Sequence, residues 1–143
     1  MIHGIDTSFF VAVELASHPR HQASRALLER ITKSGDKVAL APQVLAEFAH
    51  VITDPRRCVD PLSVPAAMDR AERIWNAKQV IQVFPDASTV SEFFVWMRQY
   101  GLGRKRILDT LLGATYRSVG IPSIITLNRA DFALFGCFAI VEP

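Results

Sequence analysis

Apolar positions along the chain fall into two rhythms that alternate: short unbroken runs, and spacings of three and four residues. Ile2 to Ile5 reads as a strand, and Phe9, Phe10, Val11, Val13 and Leu15 predict a helix starting directly behind it. After the loop Ser17 to Arg20, Ala23, Ala26, Leu27 and Ile31 recur on one face of a second helix, which Lys33-Ser34-Gly35-Asp36 stops. Lys37 to Pro42 predicts a second strand, and its proline sits where helices like to begin. A helix follows over 43–52. The prolines Pro55, Pro61 and Pro65 make 53–65 a loop. Met68, Ala71, Ile74 and Trp75 predict an amphipathic helix over 66–78, and Val80 to Phe84 a strand. Pro85-Asp86 turns that strand into a helix carrying Val90, Phe93, Phe94, Met97 and Tyr100, which Gly101-Leu102-Gly103 breaks. Residues 107–119 are apolar on nearly every side, as in a central buried helix. A strand over 123–128, a short helix over 129–135 and a last strand over 138–141 complete the pattern.

Unbroken apolar strands, rather than polar–apolar alternation, suit a parallel sheet covered on both faces. Strands alternating with helices then give one three-layer α/β/α domain with a mostly parallel central sheet, spanning 1–143. Hydrophobic residues make up 50% of the chain and charged ones 21%, which argues against a disordered chain. A net charge of +2 permits a nucleic-acid partner without requiring one. Cys58 and Cys137 lie far apart, form no metal spacing, and read as free thiols of a reducing compartment. No apolar run reaches the roughly 18 residues of a membrane span. The N-terminus has neither a basic region nor a cleavage site. The expectation is a cytoplasmic protein that does not enter a membrane.

The chain has eight Asp and six Glu, most of them in ordinary settings. Glu29, Asp69, Glu72 and Glu92 sit among other polar helix positions, Asp86 is placed to cap a helix, and Asp54 and Asp60 flank loop prolines. Four others form a pattern. Asp6 follows the first strand and Asp131 the strand ending Thr126-Leu127-Asn128. Glu47 borders the apolar stripe Val44, Leu45, Phe48, Val51 and Ile52. Asp109 lies two residues into the most hydrophobic helix, crowded by Leu108, Thr110, Leu111 and Leu112. Each has a plain alternative, a cap for Asp6 and Asp131, a snorkelling edge for Glu47, a first-turn acid for Asp109. In a parallel α/β sheet, however, strand ends and the starts of the following helices gather at one edge. Carboxylates meeting there repel one another, and hard divalent cations such as Mg²⁺ or Mn²⁺ relieve that repulsion.

Four stretches, Ile5-Asp6-Thr7-Ser8, Leu45-Ala46-Glu47-Phe48, Leu108-Asp109-Thr110-Leu111-Leu112-Gly113-Ala114 and Thr126-Leu127-Asn128-Arg129-Ala130-Asp131-Phe132, resemble in order and spacing the PIN-domain nucleases, and within them the VapC-type toxins of toxin–antitoxin pairs. The resemblance covers nearly the whole chain. It implies hydrolysis of an RNA phosphodiester with Mg²⁺ (or Mn²⁺) held by Asp6, Glu47 and Asp109. A fourth, more variable acid falls on Asp131, although Asn128 occupies a position that is an acid in some relatives. Thr7, Ser8, Thr126 and Asn128 flank these acids and are expected to meet the substrate. A homodimer and a separate VapB-like antitoxin protein are the implied partners.

Arg56 and Arg57 in the proline-rich loop, and Arg104 and Arg106 just ahead of Asp109, are candidates for RNA phosphate contacts. Rival enzymes fit poorly. A haloacid-dehalogenase-type phosphotransferase resembles this chain only in its first Asp, and carries a second Asp where this sequence has Ser8. A carboxylate-bridged di-iron protein needs two Glu-x-x-His motifs, and only Glu47 to His50 supplies one. No Gly-rich phosphate loop is present. The remaining alternative is a PIN fold that grips RNA or a protein without cutting it.

Overall fold

A computed structural model describes residues 1–143. Five strands, β1 (Ile2–Ile5), β2 (Lys37–Leu40), β3 (Val80–Gln82), β4 (Ser123–Ile125) and β5 (Ala139–Val141), form one sheet in the order β3-β2-β1-β4-β5. Every pairing is parallel, with Gly4 opposite Ala39 on one side and Ile124 on the other. The helices are α1 (Thr7–Glu14), α2 (His21–Ser34), α3 (Pro42–Ile52), α4 (Val64–Trp75), α5 (Ala87–Gln99), α6 (Ile107–Ser118) and α7 (Arg129–Ala133). A 3₁₀ turn, Arg104–Arg106, leads into α6.

The chain first builds outward from β1 to β2 and β3, then returns across the sheet to lay β4 on β1's other side. Right-handed crossovers therefore put the two legs on opposite faces. In agreement, α1, α2, α3 and α4 pack among themselves, as do α5, α6 and α7. The result is the three-layer architecture expected, with the sheet wholly rather than mostly parallel.

Local chemistry explains most element ends. Gly35 adopts the left-handed conformation that closes α2, Pro42 opens α3 from its first turn, and Asp86 with Thr89 forms a reciprocal capping box on α5. Pro65 belongs to the first turn of α4, which begins at Val64 rather than 66 because Ser63 caps it through Ala66 N–H. β3 and β4 are shorter than their apolar runs. Phe84 leaves the sheet and lies edge-on to Trp75, at 5.8 Å between ring centres.

Phe9, Phe48, Leu40, Ile52, Leu112, Ile124, Phe132 and Tyr116 are the bulk of the fully buried core. Two helices are phased differently from the sequence pattern. On α2 the inward residues are Ser24, Leu27 and Ile31, while Ala23 and Ala26 face out. On α6 burial falls on Thr110 and on 112–116, and Ile107 and Leu108 are 40% and 52% exposed. α6 is thus not buried on all sides. Its Tyr116 reaches across to the sheet, where the hydroxyl accepts the Ile5 N–H at 3.1 Å and donates to the Ile5 carbonyl at 2.6 Å. The Ala39 carbonyl stands 3.1 Å from the same oxygen. One hydroxyl thereby occupies the gap between β1 and β2, one residue before Asp6.

Candidate active site

The first strand pairs with β2 on one side and β4 on the other, so the direction of winding reverses at β1. Ligands of open α/β sheets sit at the carboxyl ends of strands at such a reversal. Asp6 follows β1 there, and its N–H bonds to the Ile125 carbonyl of β4 at 3.0 Å. It stands at the N-cap position of α1 but makes no capping bond to the helix. Its side chain faces across to β4 instead. Ser8 Oγ and Thr126 Oγ1 both donate to Asp6 Oδ2, at 2.5 and 2.7 Å, and neither bonds to Oδ1. The two hydroxyls are themselves held by backbone, Ser8 Oγ by Leu127 N–H at 3.1 Å and Thr126 Oγ1 by Asn128 N–H at 2.9 Å.

Glu47 comes from the second turn of α3. Gln43, four residues earlier on the same face, donates to Glu47 Oε1 at 3.1 Å and to the Leu108 carbonyl at 2.9 Å. That amide ties α3 to the start of α6, next to Asp109. Thr7 Oγ1 lies 3.5 Å from Glu47 Oε2. Asp131 sits in the first turn of α7 and pairs with Arg106, Nη1 to Oδ1 at 3.3 Å, while Nη2 of the same arginine donates to the Asp131 carbonyl.

The electrostatics show that the four carboxylates share one neighbourhood. Burial, then the charges of Asp6, Asp131 and Glu47, push Asp109 up to about 7, and Arg106 opposes them. Burial likewise raises Asp6, against the pull of Ser8 and Thr126. It raises Glu47 with a further push from Asp6, against Gln43 and Thr7. Uncompensated acids of this kind mark sites built for a positive partner. As the side chains stand, no three of them lie close enough to grip one ion. The donor set itself, carboxylate and hydroxyl oxygen without sulfur or imidazole, is of the kind that hard divalent cations take.

The structure thus brings together Asp6, Glu47, Asp109 and Asp131. Thr7, Ser8 and Thr126 stand among them as hydrogen-bond partners of the acids, and Asn128 contributes its N–H to Thr126 while its residue is exposed. Arg104 is exposed on the surface, whereas Arg106 turns inward to Asp131. Arg56 and Arg57 are exposed in the loop beyond the C-terminus of α3, at the opposite end of that helix from the sheet edge holding Asp6. Arg57 lies 3.7 Å from Asp54. Two contributors, Gln43 and Tyr116, were missed at the level of sequence. The i, i+4 spacing of Gln43 and Glu47 on a predicted helix was the available signal for the first; the second had none.

The PIN domain model matches residues 5–135, and the chain belongs to that family. Among solved structures it is similar to Mycobacterium tuberculosis VapC20, a sarcin–ricin loop cleaving toxin, at 24% identity and a TM-score of 0.75, with all of both chains covered. VapBC2 from Rickettsia felis, bound to a DNA fragment from their promoter, matches at 16% identity and a TM-score of 0.69 over 100% of this chain and 99% of that one. VapBC-1 from nontypeable Haemophilus influenzae matches at 15% and 0.69, over 99% and 98%. Among curated proteins there is no significant match. No helix is long and apolar enough to cross a membrane.

Proposed function

We propose that the chain is a metal-dependent endoribonuclease of VapC type, the toxin of a toxin–antitoxin pair that arrests translation or growth. The observation that carries this reading is the crowding of four carboxylates at the reversal point of the sheet, which lifts Asp109 to about 7. Membership of the PIN family and the likeness to VapC20, itself named a toxin that cleaves the sarcin–ricin loop, support it. Asp6 and Asp109 would be the principal ligands of Mg²⁺ or Mn²⁺, Glu47 would complete the set or orient the attacking water, and Asp131 borders it. A bound divalent ion supplies Lewis acidity toward water and phosphate near neutral pH.

The chain's own groups prepare that site. Ser8 and Thr126 fix one oxygen of Asp6 and leave the other without a hydroxyl partner. Gln43 holds Glu47 and the first turn of α6 at a set separation. Arg104 and Asn128, both exposed, are available to RNA, and Thr7 would reach the substrate only from its buried place beside Glu47. The partners of this reading are an RNA substrate, a VapB-like antitoxin chain and a second copy of the toxin, in the cytoplasm.

Mapping of RNA 5′ ends tests it, with purified protein and after expression with and without the neighbouring small open reading frame. New ends should require Mg²⁺ or Mn²⁺, vanish with EDTA, and vanish in Asp6→Asn and Asp109→Asn at unchanged circular dichroism. Cleavage by either variant would sink the site assignment. RNA binding with no new ends under any metal condition would favour the non-cutting PIN module.

A further inference from the structure

Arg106 is built into the acid cluster in a way that phosphate binding does not explain. It closes the 3₁₀ turn before α6, while its neighbours Arg104 and Lys105 stay exposed. Its two terminal nitrogens both go to one residue: Nη1 faces the Asp131 carboxylate and Nη2 the Asp131 main-chain carbonyl. The side chains of the pair are only 23% and 27% exposed, and Arg106 Nε is buried without a partner. A guanidinium that leaves a buried N–H unsatisfied is being held there by the charge it faces. It is also the one positive group acting on Asp109, against the negative charges of Asp6, Asp131 and Glu47.

We propose that Arg106 is a resident counter-charge that ties Asp131 back from the other three acids, so that the site takes one metal ion. The inference rests on the metal reading given above and narrows it from a site for divalent ions to a site for a single one. Glu47 and Asp131 add two carboxylates to Asp6 and Asp109, and paired-ion sites share bridging acids. With its carboxylate engaged by Arg106, Asp131 is withdrawn from that pool, and a fixed cation lowers the charge a further ion would feel.

The test counts ions. Mn²⁺ binding to the full chain, followed by calorimetry and by the loss of the free Mn²⁺ electron-spin signal, should give one ion for the wild type. Arg106→Gln removes the charge and should give two; Arg106→Lys restores it and should return to one. Arg106→Gln combined with Asp131→Asn should also return to one, because the acid that Arg106 occupied is gone. Two ions on the wild type would overturn the proposal, and so would a single ion, equally tightly bound, on a folded Arg106→Gln. Should Arg106→Gln not fold, Arg106→Met, which keeps the aliphatic stem without the charge, takes its place: two ions are expected, and one equally tightly bound ion overturns the proposal. A wild type that binds no Mn²⁺ at all would instead overturn the metal reading of the site, and this inference with it.

Discussion

Tyr116 packs against Gly4 so closely that a Cβ on the glycine would sit 2.6 Å from Tyr116 Cδ2 and 2.7 Å from Cε2. The glycine makes room for the ring, and the ring carries the hydroxyl that joins Ile5 to the β1–β2 gap beside Asp6. Gly4→Ala forces the ring to move and should destabilise the protein by about 1–3 kcal/mol, as overpacked cores do. Tyr116→Phe keeps the ring but strips the Ile5 N–H and carbonyl of their partner, at a cost of about 1–3 kcal/mol. Urea denaturation should show both losses. Gly4→Ala should cost less on a Tyr116→Leu background than on the wild type, and equal costs on the two would refute the contact.

The metal-free protein should lose stability as pH rises from acid to neutral. Asp109 has its folded-state value raised from 3.8 to about 7. Its contribution is thus fully present below the unfolded value and lost as pH rises through 7. Asp6 and Glu47 are raised in the same sense. Between about pH 5.5 and about pH 8 the loss should be on the order of 1–2 kcal/mol, after discounting for the solvent that reaches Asp109. Thermal melts in EDTA will register it. Asp109→Asn should flatten the dependence, and Mg²⁺ should raise the melting temperature most at the alkaline end.

Ser8 and Thr126 position Asp6 and should matter less than the acid itself. Ser8→Ala with Thr126→Val should reduce metal affinity or cleavage by about 10–100-fold, the usual loss when groups orienting a ligand are removed. Cleavage measured across a metal titration separates this from the complete loss expected of Asp6→Asn. An unaffected double variant would show that the hydroxyls do not hold the carboxylate in solution.

Arg104 should act on RNA through charge alone. Arg104→Ala, studied in the non-cutting Asp6→Asn background, should weaken binding about equally for all sequences and lower the slope of log affinity against log salt by roughly 0.7–0.9 for the lost contact. Filter binding over a salt series reads this directly. Arg56→Ala, at the far end of α3, should change the slope less if the RNA follows the acid edge.

Association should run through α5. Trp96 is buried there, stacked on Phe135 at 4.1 Å, whereas Val90, Phe94 and Val95 are 42%, 50% and 51% exposed. Arg98 covers part of the Phe94 ring from 5.8 Å. An apolar strip left open in one copy is the kind of surface a second copy covers. Light scattering should give a dimer mass at micromolar concentration and a monomer mass for Phe94→Asp. A monomeric wild type would rule the dimer out.

Much of this is legible in the sequence, because it rests on local rules. Gly35 needs a positive φ, Pro42 suits a first helical turn, and Asp86 with Thr89 closes a capping box, whatever the rest of the fold does. That Asp6, Glu47, Asp109 and Asp131 share one edge is what a parallel sheet implies, while their role as a set rests on the family resemblance. What escaped needed the third dimension. Ser24 is buried and the flanking alanines are not, since small side chains fit either face and leave the helical phase undetermined. Leu108 reads as core and lies outside, because an apolar residue looks the same whether it faces the interior or open surface. In Arg104-Lys105-Arg106 the letters are nearly equivalent, yet a 3₁₀ turn fans successive side chains about 120° apart and aims only one of them at Asp131.

The return of the chain to β1 also imposes an order in time. Asp6 is among the first residues made, but one of the two hydroxyls that hold it belongs to Thr126, 120 positions later, and Asp131 follows still further on. At about 5–20 residues per second of synthesis, many seconds separate the making of the first acid from the making of its support. Until β4 docks beside β1 the acid edge has only one wall, and Asp6 has neither the Thr126 hydroxyl nor the Arg106–Asp131 pair alongside. Long-range pairings of this kind form late in folding, after the local helices. A growing chain therefore carries no assembled cutting centre, and the activity proposed for this protein switches on only when its two ends meet.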